Sequence, residues 1–378
     1  MSRSRIAYIV TNCKKTGPMN QTLNIIRNLD RKLFDPVLIT LFPEVKSNTL
    51  LEEFKTECSS IHCLNMNKYQ SILIGKKKLN GLLAKIKPDL IQGVGMPPYT
   101  MSLSYRDTKH LVTLRNYCYE DYPAKYGKVL GPIIANKDMR LIRRQSNNGE
   151  VFVTCSSSLS KIYKDKHGLN FGFIRNGVDI TRYSKTSDST RIDMRTKLNL
   201  PLNKTIAIYT GQINERKDQK SAIDGVLAAK DKDNLVLLLL GAGSNYEALK
   251  ERYKSSSNIV FVGSVSNVSD YLQAADFYIS TSKSEGMPNG VLEAMSVGLP
   301  VLLSDIPQHK ELFDISNDIG LMYRLGDMSS LVNTINGMMQ ADLAKMAEIS
   351  YHAVTGNLTA QIMSNSYQKL YNQILQLG

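Results

Sequence analysis

The runs at 6–10 (Ile-Ala-Tyr-Ile-Val) and 235–240 (Leu-Val-Leu-Leu-Leu-Leu) are apolar without a break. A strand wet on one face alternates apolar and polar residues. An unbroken run of strand length belongs to a strand covered on both faces, as in a parallel sheet flanked by helices. Further runs at 36–41, 90–92, 111–114 and 151–155 read as strands. Between them lie stretches with helical spacing, such as Leu23, Ile25, Ile26 and Leu29, or the lysine-rich 71–86 with Ile72, Leu79, Leu82, Leu83 and Ile86. A second series repeats the pattern, with strands at 206–209, 235–240, 259–262, 277–280 and 301–303 and helices at 218–230 and 290–296. The expectation is α/β: two doubly wound domains in tandem. Residues 1–180 would form the first domain, 181–203 a strand-poor linker, 204–356 the second domain and 357–378 a closing helix.

The 378 residues suffice for two domains, and 21% charged with 42% hydrophobic residues excludes a disordered chain. No apolar run reaches the roughly 18 residues of a membrane span. The run at 6–10 is too short for a signal peptide, so a cytoplasmic location is expected. Five cysteines without a C-x-x-C pair and five scattered histidines give no disulfide framework and no metal-ligand spacing. Neither a metal nor a bound cofactor is expected.

The net charge of +13 is lopsided. Residues 1–180 hold 28 Lys and Arg against 14 Asp and Glu, whereas 181–378 hold 19 against 20. Such a field suits an anionic partner: nucleic acid, an acidic membrane surface or a phosphorylated substrate. A plain solvated basic face is the alternative. The clusters are Lys76-Lys77-Lys78 with Lys85 and Lys87, and Arg140, Arg143 and Arg144. No RNA-binding signature, zinc finger or aromatic-interleaved basic stretch accompanies them, which disfavours nucleic acid.

Open α/β sheets bind ligands beyond the carboxyl ends of their strands. There the chain places Lys14-Lys15-Thr16-Gly17-Pro18-Met19-Asn20, then Gly211-Gln212-Ile213-Asn214-Glu215-Arg216-Lys217-Asp218, then Gly241-Ala242-Gly243. Glycine lets backbone approach a ligand, and cations at a helix start suit a diphosphate. Ordinary turns are the competing reading. The segment 280–294 is more specific. Glu285 follows a buried strand, a Gly286-Met287-Pro288-Asn289-Gly290 loop comes next, and Glu293 lies about two turns into an otherwise apolar helix. Backbone N–H groups of Asn289 to Leu292 would face a phosphate. Two carboxylates flanking an amide-rich loop suit a polyhydroxylated ligand that also carries phosphate, which describes a nucleotide sugar.

Ser284-Glu285-Gly286-Met287-Pro288-Asn289-Gly290-Val291-Leu292-Glu293-Ala294-Met295, followed by Gly298-Leu299-Pro300-Val301, resembles the E-x7-E signature of the GT4 retaining glycosyltransferases. The Gly17 loop, Asn176-Gly177-Val178-Asp179, the 211–217 loop, Phe261-Val262-Gly263 and Ala275-Asp276 follow in the family's order. The resemblance implies a GT-B fold: two Rossmann-like domains facing a cleft, the last helix crossing back to the first. It implies that Glu285 holds the donor sugar's hydroxyls, Glu293 the nucleotide ribose, and Lys217 the diphosphate. Gly286, Met287, Pro288, Asn289, Gly290 and Val291 would bind sugar and phosphate, while Ser264 and Val265 would meet the base. Gly17 would close over the diphosphate, with Thr16, Asn20, Arg115 and Asn116 toward the acceptor. The implied activity is retaining, metal-independent transfer from a nucleotide diphosphate sugar, UDP by expectation. The acceptor would be a hydroxyl of a lipid-linked glycan in capsule or lipopolysaccharide assembly, at the inner face of the membrane.

Two departures stand out. Gln212 replaces a common arginine, leaving Arg216 to supply the charge. Gln92-Gly93-Val94-Gly95 replaces a common H-x-H-G, so no histidine stands there; His110 is near another strand and could assist the acceptor, a core histidine being the plainer reading. The rival readings are a non-catalytic or regulatory GT-B subunit and a nucleotide-sugar 2-epimerase.

Overall fold

The computed structural model describes residues 3–45 and 47–376. The chain divides into two compact units, one formed by 1–177 with 360–378 and the other by 178–359.

Among the described residues, the first unit contains β1 (Ser4–Val10), β2 (Phe34–Thr40), β3 (Ser60–Cys63), β4 (Leu90–Gly93), β5 (Lys109–Leu114), β6 (Val151–Thr154) and β7 (Gly172–Phe173). They form one parallel sheet in the order β3-β2-β1-β4-β5-β6-β7. Every residue from Ile6 to Val10 is fully buried, as an unbroken apolar run requires. The helix Ala360–Gln376 belongs to this unit. Its Met363, Tyr367, Tyr371 and Ile374 join the cluster built on Ile6, Tyr8 and Leu23. Its hydroxyls meet partners inside: Tyr371 contacts Tyr8 Oη at 3.0 Å and donates to Gln92 Oε1 at 2.5 Å, while Tyr367 contacts Thr113 at 2.7 Å.

The second unit contains β8 (Thr205–Thr210), β9 (Leu235–Leu240), β10 (Ile259–Gly263), β11 (Phe277–Ser280), β12 (Val301–Ser304) and β13 (Gly320–Tyr323). They too are parallel, in the order β10-β9-β8-β11-β12-β13. Residues 181–203 fall in this unit and carry the helix Asp188–Lys197. Arg195 on that helix is buried, donating to the Ala274 carbonyl and pairing with Asp276 at 2.6 Å.

Three helices differ from the sequence reading. The stretch 71–86 is two helices, Lys68–Leu73 and Gly75–Ile86. The first opens on a capping box between Asn67 and Gln70, and the break falls at Ile74, whose backbone leaves the helical region. The helix expected over 218–230 spans Gln219–Leu227, with Asp218 before it in the left-handed region at φ 51°. The closing helix starts at Ala360, because Leu358 and Thr359 pair with Val178 instead.

Candidate active site

The carboxyl ends of β8 and β11 lie side by side, and their loops form the site. Gly211 begins the β8 loop at φ 139°. The β9 turn packs directly on it: a Cβ at Gly241 would fall 1.9 Å from the Gly211 carbonyl oxygen, and one at Gly243 2.2 Å from that of Ile213. The third glycine turn therefore supports the β8 loop by close approach. Buried Gln219 braces the loop from below, donating to the Gln212 carbonyl at 2.9 Å. The Gln212 side chain itself is exposed.

Glu285 is the centre of the arrangement. Only 6% exposed, it receives Lys217 Nζ on Oε1 at 2.5 Å, Arg216 Nη1 on Oε2 at 3.2 Å and Ser282 Oγ on Oε1 at 2.7 Å. Burial alone would raise its carboxyl. The charges of Lys217 and Arg216, with hydrogen bonds from Lys217 and Ser282, override burial and hold it at about 2. Arg216 also donates to the Ser284 carbonyl, and Tyr209 Oη donates to that of Lys217 at 2.5 Å, so the Arg216 guanidinium and the Lys217 backbone are both fixed.

Behind Ser282 lies a polar chain that motif reading missed. Ser304 Oγ donates to the Ser282 carbonyl at 2.7 Å. His309 Nδ1, on the helix Pro307–Ile315, contacts Ser304 O at 2.9 Å and Oγ at 3.0 Å. His309 is fully buried, and that burial pushes it down to about 4 against the pull of Glu285's charge. The ring is neutral at pH 7.

Glu293 lies on the helix Asn289–Ser296. The residue is half-buried, but its carboxyl sits deep among protein atoms. Burial pushes it up to about 7, against Arg182, a hydrogen bond with Tyr183 and the charge of Lys217. Tyr183 and Arg182 come from the stretch read as a linker. The two signature acids are thus shifted in opposite directions: Glu285 held low by its cations, Glu293 pushed up by burial.

The loop between the acids differs from expectation at two amides. Val291 and Leu292 N–H both turn back to the Pro288 carbonyl, at 3.0 and 3.2 Å, to close the helix's first turn. Gly286, Met287 and Pro288 are buried, while Asn289 and Gly290 are half-buried. A Cβ at Gly290 would lie 2.6 Å from Thr210 Oγ1 and 2.7 Å from Tyr278 Oη, so the helix start is pressed onto the end of β8. Ser264 is exposed and Val265 half-buried beyond β10, which stands at the sheet edge two strands from β8.

The remaining expected residues lie in the first unit. Gly17 opens the helix Gly17–Arg27 after β1, and the Thr16 carbonyl accepts from Asn20 N–H at 2.9 Å. Arg115 donates to Asn176 at 3.0 Å and Asn116 to Asp121 at 3.4 Å, beyond β5. His110 does not join them. It is buried near the amino end of β5, its Nε2 3.1 Å from the Ser102 carbonyl, and is a core residue. Gln92, in the place of the absent histidine, is buried and held by Tyr371. Among the described residues no group of three or more His, Cys, Asp or Glu could hold a metal ion.

Two parallel sheets of this topology, with an acid-bearing loop at the carboxyl edge of the second, are the arrangement of the GT-B fold. The Anabaena Alr3699/HepE structure in complex with UDP and glucose shares the fold, with a TM-score of 0.79 at 16% identity, covering 98% of this chain and 100% of that one. Residues 204–341 match the family model described as glycosyl transferases group 1. The O-antigen biosynthesis glycosyltransferase WclY of Escherichia coli is 23% identical over 98% of this chain and 99% of its own. The Escherichia coli UDP-Gal:alpha-D-GlcNAc-diphosphoundecaprenol alpha-1,3-galactosyltransferase is 25% identical over 85% of this chain and 78% of its own. The chain thus shares the GT-B fold and, over residues 204–341, the sequence pattern of the glycosyl transferases group 1 model.

Proposed function

We propose that the chain transfers a hexosyl group, with retention, from a nucleotide diphosphate sugar to a hydroxyl of a lipid-linked glycan in surface polysaccharide assembly. One observation carries the reading: Glu285 is held ionised by Lys217 and Arg216 at the carboxyl edge of the second sheet. A diphosphate entering this loop meets two fixed cations, which stabilise it as a leaving group without a metal. Released from those cations, the Glu285 carboxylate is an acceptor for sugar hydroxyls. Glu293, with Tyr183 beside it, faces the ribose in this reading. With Gln92 locked in the core, the proton of the acceptor hydroxyl passes to the departing phosphate as the C1–phosphate bond breaks and the C1–acceptor bond forms on the same face.

The names of the two enteric relatives, one acting in O-antigen assembly and one on a diphosphoundecaprenol-linked sugar, support the lipid-linked acceptor. A UDP donor is supported by the HepE complex and by the galactosyltransferase's name. The basic first half supports a site of action on the anionic inner leaflet of the cell membrane.

The test is a donor screen on purified protein with EDTA present. Thermal shift with UDP, GDP, ADP and dTDP sugars would name the donor, and nucleotide release with lipid-linked acceptors would show transfer. The expected result is stabilisation by UDP sugars and acceptor-dependent release of UDP. Absence of both would move the non-catalytic reading to the front.

A further inference from the structure

In the first unit, two prominences expose apolar side chains that the core does not use. One is a helical hairpin, Cys118–Asn147, broken at Gly127 with φ 86° and ψ 163°. Its arms fold against each other. A Cβ at Gly131 would lie 2.6 Å from Pro123 N, and Tyr122 Oη donates to Asp138 at 2.6 Å. At the tip, Val129 is 75%, Ile133 60% and Leu130 59% exposed. The other prominence is the short helix Lys68–Leu73. Tyr69, Ile72 and Leu73 share one face at i, i+3 and i+4, each about four-fifths exposed.

Both prominences stand at one edge of the sheet. The short helix follows the carboxyl end of β3 after residues 64–67, and the hairpin follows the carboxyl end of β5 after residues 115–117. All strands of this sheet run parallel, so these ends share one edge. Around both sets of exposed side chains the flanking sequence carries a single sign of charge, Glu120, Asp121 and Asp138 of the hairpin lying outside that stretch. Residues 58–88 contain no Asp or Glu but six lysines, and residues 122–137 contain no Asp or Glu but Lys125, Lys128 and Lys137. Exposed apolar residues whose flanking sequence carries lysine as its only charge are unusual on a soluble surface. They match the interfacial layer of an anionic bilayer, where apolar side chains enter the acyl boundary and lysines meet headgroups.

We infer that the hairpin tip and the helix Lys68–Leu73 are the two points at which this protein seats on an anionic lipid leaflet. The inference deepens the lipid-linked acceptor reading and rests on it for its purpose. Its test is independent, because it needs neither donor nor acceptor.

The chain contains no tryptophan, so one introduced indole reports alone. Leu130→Trp places it at the hairpin tip. Leu202→Trp, at a 59% exposed position in the second unit, is the control. With phosphatidylglycerol vesicles, Leu130→Trp emission should shift to the blue and be quenched by brominated lipid, while Leu202→Trp stays unchanged. In sedimentation, wild type should pellet with phosphatidylglycerol and not with phosphatidylcholine. Val129→Asp with Leu130→Asp, and separately Lys125→Glu with Lys128→Glu, should each lower the partition by about tenfold or more, since one lysine near such a surface is worth roughly fivefold. Silent or equal shifts at the two indoles would overturn the inference. So would equal pelleting on both lipids, or variants that pellet like wild type. UDP binding measured on the same preparations keeps a failure of docking separate from a failure of the donor site.

Discussion

Lys217 Nζ lies 2.5 Å from Glu285 Oε1, and Arg216 holds the other carboxylate oxygen at 3.2 Å. In the proposed function, the cations that would receive a diphosphate are thus neutralised by the acid that would hold the sugar. Donor binding would then exchange these pairs: phosphate oxygens would take the cations, and the freed carboxylate would turn to hydroxyls. A buried carboxylate left alone would be costly, so the exchange favours a ligand that supplies both phosphate and hydroxyl groups at once.

The exchange predicts opposite effects on binding from its two partners. Lys217→Ala should weaken UDP binding and lower kcat by roughly 10²–10³ fold, the usual cost of losing one group that stabilises developing charge. Glu285→Gln should also abolish turnover, yet bind UDP as tightly as wild type or more tightly, because both cations are released from their carboxylate. Titration calorimetry with UDP decides it; equal weakening in both variants would refute the exchange.

The two signature acids should pull stability in opposite directions with pH. Glu285, held at about 2 against an ordinary 4.5, contributes stability that is present above pH 4.5 and lost as pH falls toward 2. Glu293, raised to about 7 from 4.5, contributes stability that is full below pH 4.5 and lost as pH rises through 7. In Tm scans, Glu293→Gln should remove a downward slope between pH 4.5 and 7. Glu285→Gln should flatten the acid limb below pH 4.5 and leave that slope in place.

A glycine pair tests the close approach beneath the site. Gly290→Ala forces a Cβ to within 2.6 Å of Thr210 Oγ1 and should cost about 1–3 kcal/mol. Gly81→Ala, in the exposed middle of the helix Gly75–Ile86, meets nothing within 4 Å and should stabilise by about 0.4–1 kcal/mol. Urea unfolding of both variants gives the comparison, and only Gly290→Ala should also impair UDP binding.

What the sequence made legible follows from range. Strands such as Leu235–Leu240 are buried throughout, so local composition alone marks them. The E-x7-E acids were legible because strand end, loop and helix start are contiguous. The half-exposed edge strand β3 lacked an unbroken apolar run, and β13 opens on glycine. The helical hairpin was hidden by Pro123, Gly127, Gly131 and Pro132, which read as breakers but supply its bend and its close arm contact. Tyr183 beside Glu293, and Tyr209 and Ser304 beside Ser282, come from distant positions, and no spacing rule reports a contact across 73 residues. The Val291 and Leu292 amides were misjudged because a helix's first turn can close on the residue before it, here Pro288.

Ser304 links the helix Pro307–Ile315 to the Glu285 loop, and its removal gives the last prediction. Its hydroxyl donates to the Ser282 carbonyl and touches His309 Nδ1, while Ser282 Oγ donates to Glu285. Ser304→Ala removes one oxygen and leaves little cavity, so the stability loss should be about 1–2 kcal/mol. If this polar chain positions Glu285, kcat should fall by about tenfold with the donor KM nearly unchanged, because Ser304 itself touches neither Lys217 nor Arg216, the cations proposed to take the diphosphate. Ser304→Thr, which keeps the hydroxyl, should recover most of the turnover. His309→Ala would open a larger cavity beneath the same loop and should lower Tm further, yet move kcat in the same direction as Ser304→Ala. A Ser304→Ala enzyme with wild-type kcat and only a lower Tm would show that this polar chain packs the loop without setting the angle of the acid.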